Sequence, residues 1–297
     1  MQNRITESSI SARVLSGLQA NLNKMGRLQE QLSSGKLIAR PSDSPTGTVA
    51  AMRLRTDIRT AEQYARNIDD GLGWLSTADQ TLTGTLPQLN RVRDLVLQGK
   101  STGAANTVDS REALATEVEQ IRDSLINLAN TRYLDRPIFG GTTTGTVAFD
   151  ASSPYDFTGT PGVVERRIGD NAKVQVNLDA TEVFGANGNN MFTMLTDIAD
   201  KLRTAPESLS SSLDALDNTR TTITTQLAEV GARYNRLTTM RDTGAERIIT
   251  LKSQLSDFED IDLPNTIMEV QLQQTAYQAA LAATAKVVQT SLVDFLR

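Results

Sequence analysis

The sequence predicts a mainly α-helical fold, drawn out as a coiled-coil rod with a small antiparallel β insert. Three observations predict it. Apolar residues recur alternately three and four apart in four long stretches, which keeps one stripe of each helix facing a partner. Only between Pro137 and Gly185 does the texture change to Gly, Thr, Ser and Pro. Aromatic residues make up 4% of the 297 positions, so a core would be mostly aliphatic side chains and alanine.

The first stripe runs Leu15, Leu18, Leu22, Met25, Gln29 and Leu32, and it stops at QEQLSSGKLIARPSDSPTG, residues 29–47. Gly35 suits the left-handed position after a helix, Arg40-Pro41 forces an extended step, and Ser44 followed by Pro45 supplies an N-cap with proline at the first helical position. The Ser34-Gly35-Lys36 core of that stretch looks like a phosphate loop. Such a loop needs Gly where Glu30 stands, Ser or Thr where Leu37 stands, and a strand before it. The stretch therefore reads as a helix stop, a turn and a helix start.

A second stripe follows through Ile68, Leu72, Leu75, Leu82, Leu86, Leu89 and Val96, with Pro87 expected to bend it, and a third runs Leu114, Val118, Ile121, Leu125 and Leu128. Gly140-Gly141 opens the insert and Asn187-Gly188 closes it. Within it, KVQVNL (173–178) alternates polar and apolar, with GVVERRI (162–168) before it as a pairing strand. A shorter helix carries Phe192, Leu195, Ile198 and Leu202. The longest stripe then spans Leu216 to Phe258, implying one helix from about residue 205 to 259, on the order of 80 Å long. The acidic run DFEDIDLP breaks that register before a last helix carrying Ile267, Val270, Gln274, Tyr277, Leu281, Thr284, Val288 and Leu292. The expected organisation is a terminal helix at 1–45, disordered in the monomer, a helical rod at 46–137 and 187–260, a small β domain at 138–186, and a second terminal helix at 263–297.

Composition removes most chemistry. The chain has no Cys and no His, which excludes disulfides, thiol nucleophiles, zinc–thiolate sites and the commonest general base. No constellation of nucleophile and base is recognisable, so no catalytic, cofactor or metal residue is expected. Asp257, Glu259, Asp260 and Asp262 lack the spacing of a calcium loop and read as a solvated break between helices. A net charge of −5 argues against a nucleic-acid partner. No stretch reaches the ~18 apolar residues of a membrane helix, and no secretory signal opens the chain, so membrane insertion is not expected. A coiled-coil binding or sensory module would share the heptads, but such modules usually carry membrane anchors.

Three segments resemble the bacterial flagellin family. LQANLNKMGRLQEQLSSGKLIARPSDSPTGTVAAMRL (18–54) is similar to its N-terminal signature, EVGARYNRL (229–237) to the motif on its long C-terminal rod helix, and AALAATAKVVQTSLVDFLR (279–297) to its C-terminal signature. The R-P-S-D form at 40–43, RPIFGGT (136–142) before a single small insert, and the SLVDFLR ending resemble the members that join hook to filament. The start MQNRIT departs from the usual opening. The resemblance implies a flagellin-like fold and a structural adaptor that forms a homo-oligomeric ring between the hook-side junction protein, hook-associated protein 1, and flagellin. It further implies export by the flagellar type III apparatus without a cleavable signal, a cytoplasmic export chaperone on the C-terminal helix, and a final place outside the cell. A filament subunit is the alternative.

Helices of three to five turns are marginal alone in water, so both striped ends need a partner. The residues expected to form that assembly interface are Leu15, Leu18, Leu22, Met25 and Leu32, facing Ile267, Val270, Tyr277, Leu281, Val288, Leu292 and Phe295. Gly35, Arg40, Pro41, Pro45, Gly140 and Gly141 are the expected structural joints.

Overall fold

The computed structural model describes residues 7–101 and 107–295, with side chains described for 12–101 and 107–285. Helix α1 spans Glu7–Ser34, α2 Pro45–Lys100 and α3 Val108–Ala129. Three antiparallel strand pairs follow: β1 Arg132–Tyr133 with β2 Arg136–Pro137, β3 Glu165–Arg167 with β4 Lys173–Gln175, and β5 Gly185–Ala186 with β6 Asn189–Asn190. Between the last two pairs lies α4, Ala180–Phe184. Helices α5 (Met191–Thr204), α6 (Leu209–Glu259) and α7 (Leu263–Phe295) complete the chain. The contacts divide it into a terminal unit, Met1–Thr60 with Ile248–Arg297, and a body unit, Ala61–Arg247.

Local chemistry sets the helix ends. Ser44 Oγ accepts from Gly47 N at 3.2 Å ahead of Pro45, and Thr107 Oγ accepts from Ser110 N at 3.2 Å ahead of α3. Asn190 and Thr193 form a reciprocal capping box that starts α5. Helix α2 continues through Pro87. Threonines on α6, a β-branched residue type that costs helix propensity, return their hydroxyls to the carbonyl four residues back, as Thr221, Thr225 and Thr239 do.

The heptads of the body unit are consumed inside it. Leu75, Leu82, Leu89 and Val96 of α2, Leu125 of α3 and Leu216, Ile223, Val230 and Leu237 of α6 are fully buried. The insert joins that same core. Phe139, Phe149, Phe184 and Phe192 meet with ring centroids 4.9 to 5.8 Å apart, and all four are buried. Strands of two or three residues form few ladder bonds, and three asparagines make up the difference. Asn130 Oδ1 accepts from Ala148 N (2.7 Å) and Phe149 N (2.9 Å). Asn177 bridges Val164 N and the Gly162 carbonyl, and Asn190 Nδ2 reaches the Tyr155 carbonyl at 3.0 Å. Each amide side chain supplies a donor and an acceptor where the backbone has no strand partner. Gly141, at φ +63°, turns the chain into the insert so closely that a side chain there would strike the Thr160 carbonyl. Arg203 of α5 ties the other side of the body by gripping Glu112 (2.9 Å) and Glu119 (2.7 Å) of α3, and that hydrogen bond holds the Glu119 carboxyl below the usual carboxylate range.

Candidate assembly interface

Helices α1 and α7 pack on each other. Gln273 Nε2 donates to the Asn21 carbonyl at 3.3 Å and to Asn21 Oδ1 at 3.2 Å, while Ile261 N donates to the Gly35 carbonyl at 3.2 Å. These two ties make the pair antiparallel. On α1 the seam positions are Val14, Leu18, Asn21, Met25, Leu28 and Leu32, with Gln31 also half-buried where its amide donates to the Leu37 carbonyl; on α7 they are Thr266, Val270, Gln273, Tyr277, Ala280 and Thr284. Both sets keep the alternating three-and-four spacing of a coiled-coil seam.

Each expected stripe is split by this arrangement. Leu18, Met25 and Leu32 lie on the inner seam with Val270 and Tyr277. Leu15, Leu22, Ile267 and Leu281 do not; they are 59%, 48%, 43% and 44% exposed. Each of the four follows a shielded position by one residue, and so stands about 100° further round its helix. In an antiparallel pair the same sense of rotation brings both helices' displaced residues onto one broad side. That side therefore carries Leu15 and Leu22 beside Ile267 and Leu281, an apolar strip that the described residues leave uncovered. Val288, Leu292 and Phe295 lie outside the residues whose side chains are described. Leu28, 7% exposed and next to the expected Gln29, is an inner-seam residue that the spacing argument missed.

The joint at 29–47 is built as a stop and a restart, with an unexpected addition. Gly35 takes φ +69° and its N–H donates to the Gln31 carbonyl at 2.8 Å, ending α1. Arg40 pairs with Glu30 at 3.3 Å, and its N–H donates to Asp43 Oδ2 at 2.8 Å, shaping the turn through Pro41 toward Pro45. Lys36 holds no phosphate loop. Its Nζ lies 2.5 Å from Asp260 Oδ1 and 3.6 Å from Glu259, and Arg55 of α2 reaches Glu259 at 2.8 Å. The Lys36 ammonium holds the Asp260 carboxyl below the usual carboxylate range, with the Ser256 hydroxyl adding to it, and Asp260 raises Lys36 in return. The acidic run at 257–262 thus supplies two partners to an ionic clasp. Beside it lies a groove of about 820 Å³ lined by Leu28, Leu37, Ile38 and Phe258 together with charged residues of both signs, among them Lys24 and Asp257.

Among the described residues, no group of three or more His, Cys, Asp or Glu is placed to hold a metal ion, and no helix is long and apolar enough to cross a membrane.

The sequence model of the bacterial flagellin N-terminal helical region matches residues 5–144, and that of the flagellin C-terminal helical region matches residues 213–296. The chain belongs to the bacterial flagellin family. Membership makes it a structural component of the flagellum, outside the cell, and not an enzyme. It is 27% identical to flagellar hook-associated protein 3 of Escherichia coli strain K12, across 91% of this chain and 92% of that one. It is 26% identical to the flagellin of Bacillus subtilis strain 168, across 95% of each. Among solved structures, a flagellar hook-associated protein from Vibrio parahaemolyticus superposes with a TM-score of 0.66 at 24% identity, covering 73% of this chain and all of that one. Hook-associated protein 3 from Legionella pneumophila superposes at 0.61 and 13% identity, covering 69% and 98%. These two likenesses establish the shared mainly helical fold with its small β insert.

Proposed function

We propose that the chain is the junction adaptor between the flagellar hook and the flagellin filament, joined to its neighbours through the outer strip of its terminal helix pair. The observation that carries the reading is that strip: Leu15, Leu22, Ile267 and Leu281 stay exposed on a pair whose inner seam is already closed. Large exposed apolar residues at heptad spacing mark a surface to be covered by another helix. The match to hook-associated protein 3 along nearly the whole chain fits the junction role, and the R-P-S-D form at 40–43 and RPIFGGT at 136–142 favour it over the filament role.

The neighbours are further copies of this chain in a ring, hook-associated protein 1 on the hook side and flagellin on the filament side. The inner seam carries Asn21, Gln273, Thr266 and Thr284 among its shielded positions, so it buries less apolar surface than the body does. Segments 1–45 and 263–297 accordingly complete their order on docking, when the outer strip is buried at roughly 1.5–3 kcal/mol per large side chain. Such a chain, free of cysteine, suits export in unfolded form through the type III apparatus, with a chaperone covering the C-terminal helix beforehand. Deleting the gene should leave cells with hooks that shed flagellin into the medium; intact filaments in the deletion would reject the junction role. The likeness to Bacillus subtilis flagellin favours a filament subunit as the second reading, and purified chain polymerising alone into long filaments would select it.

A further inference from the structure

Asn187-Gly188, which closes the insert, is the one Asn-Gly step in the sequence. It forms the two-residue tip between β5 and β6, with Ala186 opposite Asn189 and Gly188 at φ +79°. Both tip residues are exposed, yet their reactive groups are held by another segment of the insert. Phe157 N donates to Asn187 Oδ1 at 2.7 Å, and Asn187 Nδ2 faces the Phe157 carbonyl at 3.5 Å. Gly188 N donates to Asp156 Oδ1 at 3.2 Å. The segment that supplies these partners is tied in turn: Asp150 N donates to the Asp156 carbonyl at 3.0 Å, and Asn190 Nδ2 reaches the Tyr155 carbonyl at 3.0 Å.

We propose that Asn187 is a conditional modification site: the folded insert keeps its amide intact, and opening of segment 150–157 releases it to convert to aspartate and isoaspartate. The chemistry needs only water and hydroxide. Hydroxide takes the Gly188 N–H proton, and the freed electron pair forms a bond to Asn187 Cγ. The Cγ–Nδ2 bond then breaks, the amine takes a proton from water and leaves as ammonia, and a cyclic imide remains. Water adds to either imide carbonyl and opens the ring, so a carboxylate replaces the amide. Glycine at 188 favours the attack because no side chain shields its nitrogen and nothing crowds the position. Two features of the fold oppose it. Phe157 holds both polar atoms of the Asn187 amide, so Cγ cannot swing onto Gly188 N without losing that pairing. The Asp156 carboxylate accepts the proton that must leave, and sets a like charge against the nitrogen anion that would form. Conversion is one-way. An aspartate at 187 has no hydrogen to give the Phe157 carbonyl and adds a second carboxylate beside Asp156. An isoaspartate lengthens the backbone of a two-residue loop and so disturbs the pairing of Gly185 with Asn190, the residue that caps α5. A chain that has opened and converted therefore cannot fully rebuild the insert, whichever role the protein has in the flagellum.

Peptide mapping of the full-length chain, incubated at one mildly alkaline pH and one temperature with and without urea, tests it by measuring aspartate and isoaspartate at 187. Conversion in the unmodified chain should be at least tenfold slower without urea, a comparison that needs no variant. Asp156→Ala should speed conversion without urea at least threefold while the body unit remains folded by circular dichroism. Gly188→Ala, measured in urea, should slow conversion at least tenfold, as attack through the Gly188 nitrogen requires. Chain converted in urea and returned to buffer should regain protection from hydrogen exchange along 68–96, yet stay at least tenfold less protected at 150–157 and 185–193. Equal rates with and without urea, an unchanged rate in Asp156→Ala or in Gly188→Ala, or full protection of 150–157 in the converted chain would overturn the proposal.

Discussion

Leu209, Leu216, Ile223, Val230 and Leu237 recur every seven residues on α6 and all are fully buried, whereas Leu15 and Leu22, also seven apart, keep 59% and 48% of their surface exposed. The same periodicity thus serves two ends. In the body unit, α2, α3, α5 and α6 and the insert supply enough neighbours to bury most apolar heptad positions from within the chain, Tyr234 being the exposed exception. In the terminal unit two helices cover one face of each other, and a second face remains. A heptad in sequence states that a helix will be covered on a stripe; it does not state by which molecule.

The largest expected contrast is in stability. Leu82→Ala, in the body core, should cost about 2–5 kcal/mol in denaturant unfolding, while Leu22→Ala should stay within about 0.5 kcal/mol. Equal losses would erase the distinction between the units. Next, replacing the polar pair by Asn21→Leu with Gln273→Leu should strengthen the inner seam by about 1 kcal/mol, read as slower exchange in α1 and α7, at the cost of a looser register. Gly35→Ala should cost roughly 1 kcal/mol in the same measurement, because only the left-handed backbone at φ +69° is strained and open space surrounds the site.

The smallest effect concerns pH. Asp260 has its carboxyl held down by Lys36, so its contribution is complete above the ordinary carboxylate value of about 3.9 and is lost as pH falls through the lower folded value. Lys36 is raised, so its contribution is complete below about 10.4 and is lost as pH climbs above that. Both groups are partly exposed, which keeps the effect small and salt-sensitive. Exchange in α1 and α7 should accelerate at acid pH before the body unit changes, even though Glu119 beside Arg203 titrates in the same direction, because the body core does not depend on that pair. Simultaneous loosening of both units would contradict this.

The sequence made the body more legible than the ends. Leu216, Ile223, Val230 and Leu237 admit one reading because no neighbouring set of positions is as apolar. On α1 two stripes share Leu18, Met25 and Leu32: one adds Leu15, Leu22 and Gln29, the other Val14, Asn21 and Leu28. Each set adds two apolar residues and one amide, so counting does not choose between them, and the inner seam uses the second, since Asn21 finds Gln273 across the pair. The joint was readable from Gly35, Ser44 and Pro45 because caps are local chemistry. The clasp was not, because Lys36 and Asp260 lie far apart in the chain and an ion pair leaves no periodic trace. The asparagines that stitch the insert were missed for the same reason: Asn130, Asn177 and Asn190 bond to backbone that only the fold brings near.

Incorporation of chain variants into hooks tests most directly whether the outer strip of the terminal pair is kept for a neighbour. Leu22→Asp and Leu281→Asp should each reduce incorporation at least tenfold while the body unit unfolds at the same denaturant concentration as the unmodified chain. Normal incorporation of either variant, with the body intact, would contradict the account.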